Sequence, residues 1–476
     1  VRRPLLTQNR TMQGAKGGDA RIWWLLGAIV LLGLALRIAG AQGALWLDEA
    51  WSAKQAHDAG TPLGVFLNIN HDNNHHLNSL WMQLVGFDAA PPLARALSIV
   101  TGTAAILVAA LIGARRSLAL GLITGLLFAV SPALVTFGSE ARGYAPMSLA
   151  LLTAILLIDR WLAGEAERNP AIALAICFFL GAFSQLIMVF GFCALAGWVL
   201  FGLWRRDGLK PAIAGTFKLF LPSAIALGLV VAILFAAAAA HTGFKFGRYD
   251  PYSTIELLHG VSEMVQYTVG IPVVSIWWFA LIPALVVLAP SAGVSRLGFH
   301  RLAILAFPLA LALLRSGNVA HPRYYLLVGI ALLILIAELI WLGWRAGGWR
   351  RWLAGGALAA ITLASLACDV DLAINRRGDV GAAIRAMQAR APQGTRLLLD
   401  REPGIATLEA AAASAHYPLK VQLADCTAAP FFFADRFKGE EPPRQIALCG
   451  ARFAPIASAR AHGMSGTHWT LYQRQP

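Results

Sequence analysis

Charge is what this 476-residue chain has least of. Only 13% of its residues are charged, against 58% hydrophobic, whereas soluble domains carry about 25% charged residues. That deficit excludes an ordinary water-soluble globule and points to long apolar runs crossing a membrane. Cysteine is also sparse, at five residues. No CxxC pair and no Cys/His zinc spacing occurs, so a structural zinc module is excluded. Cys177 and Cys193 fall inside apolar runs and read as core thiols, and Cys368 ends the last such run. Cys426 and Cys449 lie in a polar tail and can pair if it faces an oxidising compartment. There is no internal repeat and no low-complexity linker. Acidic residues are outnumbered 25 to 39 by basic ones, for a net charge of +14. The cations sit in short loops between apolar runs, so they report membrane orientation rather than nucleic-acid binding.

Eleven apolar runs are present, near 22–40, 93–114, 117–137, 144–162, 170–186, 187–204, 215–240, 265–289, 300–315, 323–344 and 351–368. Each is close to the ~20 residues that span hydrocarbon. The first is too long for a signal peptide, and no clear small-x-small cleavage site precedes the polar segment. Residues 1–21 then form a cytoplasmic leader. With that end inside, Arg115, Arg116, Arg168, Arg205, Arg206, Lys210, Arg296, Arg345, Arg350 and Arg351 all fall in cytoplasmic connections. The opposite connections hold Asp48, Glu49, Asp58, Asp72, Asp88, Glu140, Asp250, Glu256 and Glu263. The asymmetry persists only if 170–204 crosses twice. The expected architecture is an all-α polytopic membrane domain over 22–368, followed by a small α/β domain over 369–476 on the outer side. In that tail helices are expected at "DVGAAIRAMQARAP" and near 404–415. Strands are expected at "TRLLLD" and near 419–423, 444–449 and 467–473.

Chemistry should gather on the outer face, where four polar stretches converge. The long loop 41–92 supplies Asp48 and Glu49 in "LDEAWS", within an amphipathic helix 48–58 expected to lie along the membrane surface. Its second half, "NINHDNNHHLNSLW", supplies His71, Asn74 and His75 and leads into a helix over 74–86. "GSEARGYAP" supplies Glu140, Arg142 and Tyr144. "RSGNVAHPRYY" supplies His321, Arg323 and Tyr324. Adjacent residues on a helix point about 100° apart, so Asp48 and Glu49 cannot serve one small site equally. Asp48 can instead cap the helix, with Glu49 favouring its positive end. His71 and His75 have metal-ligand spacing if helical, although hydrogen bonding to a polar substrate suits them better. The arginine–tyrosine pairs suit a phosphate headgroup, because the guanidinium offers a forked donor set. Arg37, Lys218 and Glu338 are exceptions to this gathering at one face, each expected to reach an interface.

The order of "LDEAWS", "HDNNHHLNSLW", "SEARGYAPMSLALLTA" and "HPRYYLLVGIALL" resembles the GT-C glycosyltransferases. The similarity is greatest to the bacterial branch of protein O-mannosyltransferases and the lipid A aminoarabinose transferase, and it covers roughly 22–368. The resemblance implies a sugar donor carried on polyprenyl phosphate and a hydroxyl acceptor, whether membrane lipid, envelope glycan or protein. Transfer would occur at the periplasmic face of the bacterial inner membrane. It makes Asp48 the base that deprotonates the acceptor. Glu49 would position that base or help bind a divalent cation, the one cofactor the resemblance allows. It makes Glu140 a second acid lining the same cavity, and it sets Arg142, Tyr144, Arg323 and Tyr324 near the donor phosphate. Many relatives have His-Pro-Pro where this chain has His71, Asp72 and Asn73, which points to a different sugar or acceptor. A flippase for a lipid-linked glycan and an O-antigen ligase or polymerase are the alternatives. The clustering of charges at one face, rather than at mid-membrane, favours the transferase.

Overall fold

The computed structural model describes residues 18–165, 168–245, 249–271, 277–425, 428–437 and 439–475, of which 18–20 and 277–279 are described as backbone alone. In chain order the helices are α1 (Gly18–Gly40), α2 (Leu47–Asp58), α3 (Pro62–Leu67), α4 (His76–Val85), α5 (Pro91–Ala94), α6 (Ala96–Ala114) and α7 (Leu118–Val130). They continue as α8 (Pro132–Gly138), α9 (Tyr144–Leu162), α10 (Ala171–Ser184), α11 (Met188–Asp207), α12 (Leu209–Ala239), α13 (Thr254–Val269) and α14 (Trp277–Ala292). The remainder are α15 (Leu297–Arg301), α16 (Phe307–Leu313), α17 (Leu326–Ala346), α18 (Gly348–Asn375), α19 (Gly381–Gln388) and α20 (Gly404–Ser414).

Among the described residues, seven helices are long and apolar enough to cross a membrane, and α7 with α8 makes an eighth if the bent pair is one span. The chain is a multi-pass membrane protein. Exposed apolar side chains such as Leu31 on α1 and Phe217, Ile225 and Phe235 on α12 form a surface that suits lipid rather than water. Among the described residues the expected eleven spans are not confirmed at full length, because an apolar run is not always one long helix. The run 265–289 is interrupted by Gly270, in the left-handed region at φ 73°, which stops α13 there. A Cβ at Gly270 would lie 2.4 Å from the Ser365 backbone nitrogen. The runs 170–186 and 300–315 correspond to shorter apolar helices, Ala171–Ser184 and Leu297–Leu313. Segment 170–204 does divide in two, α10 ending at Gln185 in extended backbone. Between α7 and α8 the axis bends 62°. Pro132 opens α8, and with no N–H it cannot continue α7.

Within loop 41–92, α2 does not lie on lipid. Its Ala50, Ala53 and Ala56 pack among Met82, Ala141 and the C-terminal Ala406 and Ala410. Trp51 Nε1 donates to the Pro403 carbonyl at 3.3 Å, and Lys54 Nζ meets Glu409 at 3.0 Å. The sequence-based helix 74–86 is α4. The turn formed by α3 was not foreseen, and Thr61 Oγ1 caps it by accepting from Gly64 N at 3.1 Å.

The C-terminal unit is a six-stranded sheet with α19 and α20 packed against it. Its strands are β1 (Thr395–Leu399), β2 (Leu419–Leu423), β3 (Phe431–Arg436), β4 (Ile446–Leu448), β5 (Ala451–Ala459) and β6 (His468–Arg474), in the order β2-β1-β3-β6-β5-β4. β1 runs parallel to β2 and β3, and the other pairs are antiparallel. Ala383, Ile384, Leu397, Leu408, Phe431, Phe433 and Trp469 form its core. Strands β3 and β5 were not foreseen. Residues 431–435 of β3 are all buried, so the strand shows no alternation by which to recognise it. Cys449 is disulfide-bonded, while its expected partner Cys426 lies outside the described residues. Cys177, Cys193 and Cys368 are free.

Candidate active site

The first turn of α2 separates the two adjacent acids. Trp46, rather than Asp48, is the N-cap. Glu49 points into the protein and is wholly buried. Its carboxylate accepts from Arg95 Nε at 2.8 Å, Arg95 Nη2 at 2.6 Å, Ala141 N at 2.6 Å and Trp46 N at 3.1 Å. Burial pushes the Glu49 carboxyl up, but the Arg95 fork outweighs it and holds it below its usual range. Arg95 also donates to the carbonyls of Ala41, Gly43 and Ala44 at 2.7–3.0 Å. Glu49 therefore fastens the loop 41–49 to the start of α6 and to the loop carrying Glu140.

Asp48 turns the other way, into a small cavity open to the surface. Glu140, Tyr144, His321 and Arg323 share that lining, with Trp46, Phe137, Pro322, Met464 and Ser465 completing it. Arg323 Nη1 donates to Asp48 Oδ2 at 2.5 Å, and Arg142 Nη2 lies 3.5 Å from the same oxygen. Burial raises the Asp48 carboxyl, yet Arg323 and Arg142, with His321, more than offset it and keep it below the ordinary aspartate range. Arg142 also donates to the Asp48 carbonyl at 3.2 Å and to Asn73 Oδ1, and its guanidinium lies 5.8 Å from the centre of the Tyr144 ring.

Glu140 is 2% exposed. Its Oε1 accepts from Ser465 Oγ at 2.5 Å and lies 3.4 Å from Arg377 Nε. Burial pushes this carboxyl above its usual range against the pull of Arg377, with the Glu49 charge adding to the rise. The loop 139–143 is held by side chains that donate to its carbonyls. Asn78 Nδ2 donates to the Ala141 carbonyl at 2.7 Å, and Ser98 Oγ to the Arg142 carbonyl at 3.0 Å. Gly143 is required by close approach, since a Cβ there would lie 1.7 Å from the Ser184 carbonyl oxygen.

The remaining candidates lie outside the cavity lining. Asn74 is committed to the fold: its amide donates to the Val65 and Ile69 carbonyls and its oxygen accepts from Ser79. His71 lies outside α4, in an isolated bridge to Lys245, and His75 is the N-cap residue of α4. The helical spacing a metal pair would need is therefore missing. His75 is buried, with its ring 5.9 Å from Tyr144. Burial, then Arg142 and Arg323, keep it neutral. Tyr324 packs beside His321 at 6.0 Å. Among the described residues no group of three or more His, Cys, Asp or Glu is placed to hold a metal. With Asp48 held by two arginines and Glu49 saturated by four N–H donors, the carboxylate pair does not fit a divalent cation.

At the other end of the bundle, Arg115 and Arg296 share Asp159 at 2.5 and 2.7 Å, and Arg116 pairs with Glu338. The basic connections thus gather away from the cavity. Arg37 does not reach an interface. It is 1% exposed and donates to the carbonyls of Gly33, Phe128 and Ala129.

No protein-family model matches the chain, and no curated protein does. Solved structures do. ArnT from Cupriavidus metallidurans in the apo state superposes with a TM-score of 0.51 at 13% identity, covering 84% of this chain and 86% of that one. The same protein bound to undecaprenyl phosphate gives 0.50 at 12% identity, covering 96% and 98%. An oligosaccharyltransferase from Archaeoglobus fulgidus gives 0.45 at 17% identity, covering 83% and 62%. The chain therefore has the GT-C-like fold of ArnT, a polytopic helical domain followed by a small sheet domain.

Proposed function

We propose that this protein is a glycosyltransferase that moves a sugar from a polyprenyl-phosphate donor to a hydroxyl acceptor, with inversion. The observation that carries the reading is Asp48, a carboxylate in a cavity, held between Arg323 and Arg142 with Glu140 in the same lining. The ArnT structure that holds undecaprenyl phosphate supports a polyprenyl phosphate as the carrier.

The chemistry follows from charge. A departing lipid phosphate gains negative charge as the glycosidic bond breaks, and fixed guanidinium groups stabilise it. A phosphate competes with Asp48 for Arg323 and Arg142, forming forked charge-assisted hydrogen bonds of its own. Donor binding thus loosens the pairing that depresses Asp48 and makes it a stronger base. Asp48 then takes the acceptor's hydroxyl proton, the acceptor oxygen attacks the anomeric carbon, and polyprenyl phosphate leaves with the bonding electrons. No metal enters this sequence. Asp48 and Glu140 are the acids of the reaction, and Glu49 supports their geometry through Arg95. Tyr144, His321 and Tyr324 complete the donor side.

The test is release of free polyprenyl phosphate from a panel of polyprenyl-phosphate monosaccharides by the purified full-length protein, supplied with envelope lipids and glycans. Time-dependent release with a glycosylated product of inverted configuration is expected. Movement of intact donor across a proteoliposome membrane, with no release, would make the protein a flippase instead.

A further inference from the structure

The cavity is not closed by the membrane domain alone. The loop 460–467, between β5 and β6, brings Met464 and Ser465 into its lining. This loop is fixed. Gly466 (φ 119°) lies so close to the turn after α18 that a Cβ there would be 2.5 Å from the Arg377 carbonyl, and one at Gly378 (φ 83°) would be 2.4 Å from the Thr467 carbonyl. His462 N donates to Asn375 Oδ1 at 3.0 Å, and Trp469 Nε1 donates to the Gly378 carbonyl. Ser465 Oγ accepts from Arg377 Nε at 3.2 Å and donates to Glu140. Arg377 is held in turn by Ser139 Oγ at 2.8 Å and the Thr136 carbonyl at 3.2 Å. The loop therefore meets the Glu140 segment through a buried charged pair.

We infer that Ser465 and Met464 are specificity-determining residues that contact the glycosyl group of the lipid-linked donor. This rests on the transferase reading above. Two kinds of surface meet at this side of the cavity. Trp46, Phe137 and Met464 offer apolar faces, while Glu140 and Ser465 offer hydrogen-bonding atoms. The Trp46 indole N–H is buried and has no partner among the described residues, and a buried donor calls for an acceptor. Aromatic faces bordered by hydroxyl-binding groups suit a sugar ring. They suit neither a prenyl chain, which needs no polar partners, nor a phosphate, for which Arg323 and Arg142 are available. The C-terminal domain thus reads the sugar while the membrane domain holds its carrier.

The experiment compares affinity for a polyprenyl-phosphate monosaccharide and for sugar-free polyprenyl phosphate, using full-length wild-type, Ser465→Ala and Met464→Ala proteins in detergent. Ser465→Ala should weaken binding of the glycosylated lipid by about tenfold, the scale of a lost hydrogen bond to a charged network, and leave sugar-free lipid binding unchanged. Met464→Ala should shift relative affinities across a panel of sugars. Equal loss for both lipids, or no loss for either, overturns the inference while leaving the transferase reading intact. If the wild-type protein binds neither lipid, the transferase reading fails and takes this inference with it.

Discussion

Asp48 and Glu49 are chain neighbours with opposite fates, decided by which way one helical turn points them. Glu49 has no path to the cavity, and its partner Arg95 is equally buried. Removing one charge of such a pair strands the other, at a cost of about 3–5 kcal/mol. Glu49→Gln should therefore lower the unfolding temperature of the purified protein sharply, whereas the molecules that remain folded keep most of their transfer activity. Loss of activity without loss of stability would return Glu49 to the reaction. Asp48 shows its sign in pH. Its carboxyl is held below the ordinary range, so its contribution to stability is complete above the unfolded value of about 4 and disappears as pH falls through the lower folded value. Denaturation of wild type and Asp48→Asn compared from pH 7 to pH 3 should show their difference narrowing only below about pH 4. A difference that narrows between pH 7 and 5 would mean that the arginines do not dominate Asp48. The acids Asp48 and Glu140 were legible in the sequence because charge asymmetry put their loops on one side. So were Arg142 and Arg323, which hold Asp48, but the partners of Glu49 and Glu140 were not. Arg95 hides inside an apolar run, and Arg377 lies beyond the last one, more than 200 residues from the acid it meets.

At the scale of elements, loop 139–143 positions both Glu140 and Arg142, and Gly143 allows it to press against the end of α10. Gly143→Ala should push this loop out and cut transfer by at least tenfold. The same substitution should leave the helix content of the protein unchanged by circular dichroism. Full activity in Gly143→Ala would show that the loop tolerates displacement and that the positions of Glu140 and Arg142 matter little. Element identity was readable from hydropathy across most of the bundle, but element length was not. Gly270 and Pro132 each interrupt an apolar run at a point that composition averages away. The helix α2 was read correctly as amphipathic. Its small apolar face, however, meets alanines of α20 rather than lipid, a choice fixed by a domain more than 300 residues downstream.

For the whole molecule, the basic connections gather at one end and the cavity with the sheet domain lies at the other. We propose from this the positive-inside orientation, with the C-terminal domain on the periplasmic side of a bacterial inner membrane. Single cysteines placed at exposed Arg350 and at exposed Arg460, in a background lacking the free thiols, should label oppositely with an impermeant reagent on intact cells. Arg460→Cys should react and Arg350→Cys should not, and the reverse pattern would put the site in the cytoplasm. The most direct measurement of the central claim is glycosyl transfer by Asp48→Asn under saturating polyprenyl-phosphate donor. If Asp48 is the base, the rate falls by about 10²–10⁴-fold while donor affinity is kept or increased, because Arg323 and Arg142 remain and lose a competitor. Transfer at the wild-type rate by Asp48→Asn would contradict it.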